Sequence, residues 1–203
     1  INSIVKPFAS VTPSGSNFRP LYNGNIAAMS VNVPKVGVPL LYQYRYDALN
    51  RIVGMDAQHG LDAATNTWTP VSVSDFGERV TYDPNGNILQ YKRNGNETWA
   101  AKPLQMDSLT YHYEAGRNRL NFITDSVGID NYDVDIEDQS VNNYQYDSIG
   151  NMVKDVASNI RSIEWTVYGK IRRIIKENGD TISYTYDPAG NRISKKVKGV
   201  ETW

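Results

Sequence analysis

The segment YDPNGNI, residues 82–88, decides the fold because its residue types are typical of a β-hairpin turn. Asp83 can accept backbone N–H groups as an Asx turn, the proline after it presets φ for a type I turn, and Gly86 supplies a positive φ. Val80 alternates with polar neighbours before the turn, and Ile88 begins a new apolar run after it. We therefore predict two strands joined by a turn with a G1-type bulge.

The same cassette recurs along the chain. Its copies are YDALNRI, YDPNGNI, YEAGRNRL, YDSIGNM and YDPAGNRI, at residues 46–52, 82–88, 113–120, 146–152 and 186–193. The acidic residues of successive copies lie 31 to 40 residues apart, which is the spacing of a repeat with one supersecondary unit per copy. The pattern predicts an all-β array of consecutive hairpins, stacked into a curved or spiral sheet.

Three stretches depart from the cassette. In the first copy Leu49 stands where the turn glycine is expected, and the third copy carries Glu114 in place of Asp, with one extra residue. Both turns are therefore predicted to differ in geometry. Between Trp165 and Gly169 the chain carries a shortened cassette without Asp, which predicts a sixth, degenerate unit.

We assign two groups of residues to the repeat, both structural. The turn residues are Asp47, Asp83, Gly86, Asn87, Glu114, Gly116, Asp147, Gly150, Asn151, Gly169, Asp187, Gly190 and Asn191. Tyrosines spaced by two residues project from one face of a strand and are predicted to form a wall. These wall tyrosines are Tyr44, Tyr46, Tyr82, Tyr111, Tyr113, Tyr144, Tyr146, Tyr184 and Tyr186.

Three further hairpins are predicted outside the cassettes. The clearest joins residues 171–176 to residues 181–186 through Asn178-Gly179, the favoured pair of a type I′ turn. Residues 93–96 carry the same signal before a weak return strand, and another hairpin is expected to close on Lys198-Gly199.

The cassettes, written Y-D-x-x-G-N-x-[IL], with Y-x-Y strands before them, resemble the YD or RHS repeats of large bacterial secreted proteins and of the teneurins. Segments at residues 22–30, 82–93, 109–120 and 163–174 resemble the closing stretch of RHS-repeat proteins from Bacteroidetes-type bacteria. The resemblance implies a spiral β-sheet that winds into a hollow shell, often around a C-terminal toxin. It also implies a self-cleaving aspartyl protease core, rich in D-P-x-G motifs, after the last repeats.

Residues 187–190, Asp-Pro-Ala-Gly, match the short D-P-x-G pattern but lie inside a full cassette. We interpret them as a repeat turn and expect no autoproteolysis.

Composition agrees with a β-rich chain. The 203 residues include 14 Tyr, 15 Gly and 9 Pro, and no helical stretch is long enough to anchor a bundle. We expect a single domain, with an irregular lead-in and the first strands over residues 1–40 and the hairpin array over residues 41–203. The formal net charge of −1 and the scattered Lys and Arg argue against nucleic-acid binding. No apolar run approaches the ~20 residues of a membrane span.

Cysteine is absent, which excludes disulfides, thiolate nucleophiles and cysteine-ligated zinc. The chain starts at Ile1 without a signal-like segment, so we expect a fragment whose secretion signal lies outside it. No residue is assigned to catalysis, to a cofactor or to a metal.

Other functions stay open at this point. A calcium site is an alternative for the acidic segment 130–138, whose ordinary interpretation is a solvated loop or charged edge. Trp68, Trp99 and Trp203 lie outside the cassettes and allow a glycan-binding or adhesive surface, unless they pack across strands. A glycoside hydrolase ranks lower, because nothing singles out a carboxylate pair about 5 to 10 Å apart.

Two smaller interpretations concern single side chains. The chain's two histidines, His59 and His112, are interpreted as surface or hydrogen-bonded residues. Trp165 alternates with Ile163 and Val167 and is expected to pack in the sheet.

The favoured function is a non-catalytic wall segment of a large secreted RHS/YD-repeat protein, located outside the cell or on its surface. Its partners would be the rest of its own polypeptide, including a C-terminal, toxin-like cargo, or a secretion or surface assembly. It would act by steric enclosure and would need no cofactor.

Overall fold

The structure is a computed structural model that describes residues 20–33, 35, 37–62, 64–65, 67–96, 103–128 and 136–203. Within these ranges every helix or strand element is a β-strand, which confirms the all-β class. Several predictions fall outside them: most of the lead-in, Trp99, the return strand after residue 96, and most of the acidic segment 130–138. In the described ranges no helix is long and apolar enough to cross a membrane.

Fourteen strands are present in the described part of the chain, and they pair in sequence order in two sheets of seven. The strands of the first sheet are β1 (Ala28–Val31), β2 (Leu40–Tyr46), β3 (Ile52–Asp62), β4 (Thr67–Tyr82), β5 (Ile88–Asn94), β6 (Gln105–Tyr113) and β7 (Leu120–Asp125). Those of the second sheet are β8 (Tyr144–Tyr146), β9 (Met152–Asp155), β10 (Ile160–Trp165), β11 (Ile171–Lys176), β12 (Thr181–Tyr186), β13 (Arg192–Val197) and β14 (Val200–Thr202). Both sheets are therefore stacks of consecutive hairpins.

The chain divides into two compact units. The first unit comprises residues 1–110 and 125–136, and the second comprises residues 111–124 and 137–203. A single domain and a boundary at residue 40 stay predictions.

In the first unit the buried apolar side chains come from neighbouring hairpins. They are Leu41, Ala57, Trp68, Val80 and Leu109, each no more than 9% exposed. Each hairpin thus contributes one or two side chains to the core, and none has a core of its own.

In the second unit few large apolar side chains are fully buried, and polar groups share the core. Ile123 and Ile163 are 4% and 5% exposed, and Asn143 is 2% exposed. The Asn143 side-chain amide donates to Asp155 Oδ1 at 3.0 Å, and its oxygen accepts the backbone N–H of Ala157 at 2.6 Å. Asn143 thereby holds the loop between β9 and β10 in place.

A register shift recurs beside the cassettes. In the second cassette Tyr82 pairs with Ile88, whereas Thr81 pairs with Gln90, so one residue of β5 is left over. Equivalent shifts occur beside Tyr46, Tyr146, Trp165 and Tyr186. A bulge of this kind bends the strand and increases its local twist.

The predicted hairpin over residues 171–186 is confirmed, because β11 and β12 have the predicted bounds. Its turn, however, is not type I′: Gly179 has a φ of 85°, but Asn178 is absent from the residues with positive φ. The loop has one residue more than a type I′ hairpin and uses a single left-handed glycine, as a G1-bulge loop does.

The hairpin that closes on Lys198-Gly199 is also confirmed. Both residues have positive φ, 48° and 87°, and Val197 pairs with Val200 across them. These are the conditions of a two-residue type I′ turn.

The turn predicted at residues 93–96 is wrong. Asn94 pairs with Gln105, and the Gly95 N–H donates to the carbonyl of Leu104 at 2.7 Å. The backbone groups that a tight turn would use are engaged between β5 and β6, so the chain does not reverse at this point.

The expected alternation around Trp165 is half wrong. Ile163 is buried and Trp165 is half-buried, but Val167 is 94% exposed. β10 ends at Trp165, so Val167 lies in the following turn instead of on the strand.

Candidate functional site

The cassette turns are held by two backbone hydrogen bonds each. In the second cassette the Asp83 N–H donates to Asn87 O at 2.9 Å, and the Gly86 N–H donates to Asp83 O at 3.1 Å. Gly86 has a φ of 93°, and the equivalent Gly150 and Gly190 have 99° and 85°. A side chain at this position would sit in the left-handed region, which favours glycine.

The aspartate side chain closes each turn from the inside. Asp83 Oδ1 accepts the backbone N–H of Asn87 at 2.8 Å, and Oδ2 accepts its side-chain amide at 2.8 Å. Asp147 binds Asn151 in the same way, at 2.8 and 2.9 Å, and Asp187 binds Asn191 at 2.8 and 3.0 Å. The side-chain hydrogen bond from asparagine is the main reason why the pKa values of Asp83 and Asp187 lie below the ordinary value.

The first cassette corrects our assignment of its turn residue. Asn50, and not Leu49, takes the place of the glycine, with a φ of 62° and an N–H···O bond to Asp47 of 3.0 Å. The Asp47 N–H donates to Arg51 O at 2.9 Å, as the Asp83 N–H does to Asn87 O. The expectation of a different geometry is therefore wrong here, because asparagine tolerates the left-handed conformation better than most residues with a Cβ.

The third cassette does differ, as its extra residue predicted. The Glu114 N–H donates to Arg119 O at 2.8 Å, which closes a turn one residue longer than the others. Gly116 takes the positive φ, 71°, and the Glu114 carboxylate lies 3.7 Å from Arg117.

The cassette at Trp165 is full-length, so the description of it as shortened is wrong. Thr166 occupies the aspartate position: its N–H donates to Lys170 O at 2.8 Å, and its hydroxyl accepts the Lys170 N–H at 3.1 Å. Gly169 has a φ of 70° and donates to Thr166 O. A threonine hydroxyl replaces the aspartate carboxylate here, so this cassette lacks the acidic residue of the other copies.

In five cassettes the last aromatic residue before the turn ties its hairpin to the hairpin before it. The Tyr82 hydroxyl donates to the carbonyl of Ile52, the first residue after the preceding turn, at 2.8 Å. Trp165 replaces tyrosine and donates its indole N–H to Met152 O at 2.9 Å. The remaining bonds of this type run from Tyr46 to Ile26, from Tyr146 to Leu120 and from Tyr186 to Ile171.

The residue that closes each turn is of two alternating kinds. It is asparagine at positions 87, 151 and 191 and a long cation at positions 51, 119 and 170. Arg51 Nη1 donates to Asp83 O in the next turn at 3.3 Å, and its guanidinium lies 4.4 Å from the Tyr82 ring centre. Arg119 lies 5.6 Å from the Tyr146 ring centre, which repeats this cation–π contact in the second unit.

All nine wall tyrosines are half-buried. Among them Tyr144 accepts a hydrogen bond from the Gln139 amide at 3.0 Å, and Arg192 lies 5.7 Å from the Tyr184 ring centre. Burial raises the pKa of Tyr44 and of Tyr146 above the ordinary value. The hydroxyl groups that bind the preceding hairpin are thus partly withdrawn from water.

The structure adds little support for the other candidate sites. Trp68 is 6% exposed, which agrees with packing in the sheet and leaves it unavailable to a sugar at the surface, whereas Trp203 is 86% exposed. His112 stacks on Phe122, with ring centres 4.2 Å apart, and its Nε2 lies 3.1 Å from Thr124 Oγ1. Among the described residues, no three His, Cys, Asp or Glu side chains are grouped so as to hold a metal ion.

Two features were missed in the sequence. Gly60 has a φ of 116°, and a Cβ there would lie 1.9 Å from the backbone oxygen of Thr69, so β3 and β4 cross too closely for any side chain. A glycine in the interior of a strand is a known sign of such an approach. The hydrogen bonds from the cassette aromatics had no sequence signal apart from the recurrence of the tyrosine itself.

Comparison with known proteins gives distant structural neighbours only. The sequence matches no protein-family model and no curated protein. It is similar to a chain in the crystal structure of TcdB2-TccC3, with 15% identity and a TM-score of 0.35, over 77% of this chain and 6% of that one. It is also similar to a chain in the crystal structure of TcdB2-TccC3-Cdc42, with 14% identity and a TM-score of 0.36, over 84% of this chain and 10% of that one. The chain spans a tenth or less of the length of these neighbours.

Proposed function

We propose that this chain is a non-catalytic wall segment of a large secreted RHS/YD-repeat protein, which encloses or presents a C-terminal, toxin-like region of the same polypeptide. The observation that carries the proposal is the bond from five cassette aromatics to the preceding hairpin, as from Tyr82 to Ile52. A bond that recurs at the same place in successive hairpins ties them into a continuous wall.

The energetics of the hairpins support a structural role. The contacts between elements join strands that are neighbours in the chain, and each hairpin buries few side chains of its own. Such a hairpin gains stability from the hairpins on either side, as in other repeat proteins whose stability is a sum over neighbours. A wall built in this way can be extended by further copies of the same unit.

The state of the cassette carboxylates supports a role without catalysis. Asp83, Asp147 and Asp187 each use both carboxylate oxygens to close their own turn. A carboxylate that serves as general acid or nucleophile needs an oxygen directed at the substrate. This hydrogen bonding supports a structural role for the turn residues, and we interpret Asp187 and Pro188 as part of a turn rather than as a cleavage site.

The first test is the intact mass of the native protein from its source. A polypeptide much larger than 203 residues is expected. A mature product of this length would contain too few hairpins to enclose anything and would contradict the proposal.

The second test is limited proteolysis of the native polypeptide. The region after the repeats should survive a protease that rapidly digests the same region when it is expressed alone. Equal digestion rates would refute enclosure.

A third test addresses catalysis. The mass of the purified protein should not change with time, and a specific, time-dependent cut near residue 188 would show that the Asp-Pro sequence is an autoproteolytic site. An Asp187→Asn variant serves as the control, because it removes the carboxylate and keeps one oxygen that can accept the backbone N–H of Asn191.

A further inference from the structure

The first unit contains a cavity of about 590 Å³. Three of the four methionines of the chain line it: Met29 from β1, Met55 from β3 and Met106 from β6. The volume falls within the range of roughly 300 to 1,000 Å³ that is usual for small-molecule sites. Methionine side chains are flexible and polarisable, so this lining can adapt to ligands of different outline.

A strained aromatic residue forms part of the wall. Phe76 has a φ of 58°, in the left-handed region, within a bulge of β4 at residues 74–77. The Phe76 N–H donates to Gly95 O at 2.7 Å, and the Asn94 amide donates to the carbonyl at the start of the bulge at 2.7 Å. These bonds hold the ring edge-on to Tyr42, with centres 6.4 Å apart. A bulky residue kept in this conformation beside a cavity points to a role for its position.

One carboxylate at the cavity, that of Glu78, hydrogen-bonds the Tyr91 side chain. Glu78 and Arg93 face each other on β4 and β5, and both line the cavity. Arg93, however, directs its Nε to Asp107 Oδ2 at 2.5 Å, and the Asp107 side chain is 3% exposed. Among the residues that the structure describes, no Lys, Arg or His nitrogen lies within 4 Å of the Glu78 carboxylate.

The negative charge of Glu78 contributes to raised pKa values of two nearby tyrosines. Burial, and after it the charge of Glu78, raises the pKa of Tyr91 to about 12. The same two causes, in the same order, raise the pKa of Tyr44, which also lines the cavity. The Glu78 carboxylate therefore lies beside partly desolvated tyrosines, where a counter-charge would be attracted more than in open water.

We propose that this cavity binds a small lipophilic cation, an aromatic or aliphatic body that carries a protonated amine. The amine pairs with Glu78, next to the ring faces of Tyr42 and Tyr44, which also attract cations. The apolar body lies against the methionines and Phe76. This inference does not depend on the proposed wall function.

The test uses two fluorescent probes with the same apolar body. Dansylcadaverine carries a protonated amine, and N-butyl dansylamide lacks it. Titration of the protein should give a dissociation constant about tenfold lower for the amine, which corresponds to one moderately desolvated ion pair. Glu78→Gln should remove this difference and leave the neutral probe unaffected. Glu177→Gln, an exposed carboxylate of the second unit, is the matched control and should change neither probe.

The position of the probe is read from the methionine methyl groups. In protein labelled with ¹³C-methyl methionine, the signals of Met29, Met55 and Met106 should shift with the amine probe. The fourth signal, from Met152 in β9 of the second unit, should stay in place.

Phe76→Gly separates binding from folding. Glycine adopts a positive φ without strain, which offsets part of the packing lost with the ring, so the variant should still fold. It removes the aromatic wall, and both probes should bind at least tenfold more weakly.

The proposal is overturned by any of four results: no saturable binding of the amine, equal affinity for the two probes, an amine affinity unchanged in Glu78→Gln, or a shift confined to Met152. Undiminished binding to folded Phe76→Gly would also overturn it.

Discussion

Replacing Tyr82 by Phe tests the bond that ties one hairpin to the next. The substitution removes only the hydroxyl that donates to Ile52 O at 2.8 Å. The ring stays, and with it the contact to the Arg51 guanidinium 4.4 Å from the ring centre. The change therefore isolates a single hydrogen bond between neighbouring hairpins.

The expected loss depends on whether water can replace the hydroxyl. Ile52 is 38% exposed, so its carbonyl can accept a hydrogen bond from water in the variant. We expect Tyr82→Phe to lower the free energy of unfolding by about 0.5 kcal/mol, the lower end for a net hydrogen bond. The bond from Tyr146 to Leu120, 2.9 Å long, is partly buried. Tyr146→Phe should therefore cost more, about 1 to 1.5 kcal/mol.

Urea unfolding, followed by tryptophan fluorescence, measures both losses. The midpoint should fall while the slope stays constant, since the surface exposed on unfolding is unchanged. Tyr168→Phe is the matched control, because Tyr168 lies in a turn and is 88% exposed. The reasoning is refuted if Tyr146→Phe is no less stable than the Tyr168→Phe control, or if Tyr82→Phe costs more than Tyr146→Phe.

Three further predictions concern the turns and the strand crossing. Gly86→Val should lower the free energy of unfolding by about 1 to 2 kcal/mol, because Gly86 has a φ of 93°. Gly37→Val is the control and should change the free energy of unfolding little, because a Cβ at Gly37 has open space and no positive φ is required there. Equal midpoints in urea for these two variants would contradict the turn geometry. Gly60→Ala should lower the free energy of unfolding by more than about 3 kcal/mol, since the alanine Cβ would overlap the backbone of β4. An unfolding temperature near that of the parent protein would show instead that β3 and β4 can move apart. The free energy of unfolding should also fall as the pH drops below about 4. Hydrogen bonds, first that from the Asn87 side chain, lower the pKa of Asp83 in the folded protein from the ordinary value of 3.8. Their stabilising contribution is therefore present above the pKa of the unfolded state and is lost as the pH falls through the pKa of the folded state. Asp83→Asn should flatten this dependence in acid titrations of stability, and an unchanged slope would exclude Asp83 as a source.

The hairpins could be predicted because their determinants are local. Asp83 and Gly86 act within one turn, and the bounds of β11 and β12 follow from two β-rich runs around Asn178-Gly179. The type of the turn at Asn178-Gly179 was harder to predict than the bounds of these two strands. An Asn-Gly pair is compatible with a two-residue loop and with a longer loop that needs one positive φ, and the pairing of the flanking strands decides between them.

Tertiary features left weaker signals in the sequence. The burial of Trp68 depends on neighbouring strands of the first unit, and its residue type alone fits a surface site as well as a core. The cavity gathers Met29, Met55 and Met106 from three separate strands. The strain at Phe76 comes from a bulge of β4 held by Asn94 and Gly95 of the neighbouring chain segment, which no local motif encodes.

The alternation at the turn-closing position indicates that the repeat is two cassettes long. Where that residue is asparagine, as at Asn87, its side chain returns to the aspartate of its own turn. Where it is Arg51, the guanidinium binds Asp47 at 2.7 Å and also reaches the backbone of the next turn. In the second unit, a Cβ at Gly150 would lie 3.7 Å from Arg119, and one at Gly190 would lie 3.8 Å from Lys170. A self-closed turn thus follows each bridging turn, so bridging cations link the turns in pairs, while the hydrogen bonds from five cassette aromatics each link a hairpin to the one before it. These aromatics are Tyr46, Tyr82, Tyr146, Trp165 and Tyr186. Since two kinds of contact with different periods act on the same hairpins, a sequence change that removes one of them leaves the other in place.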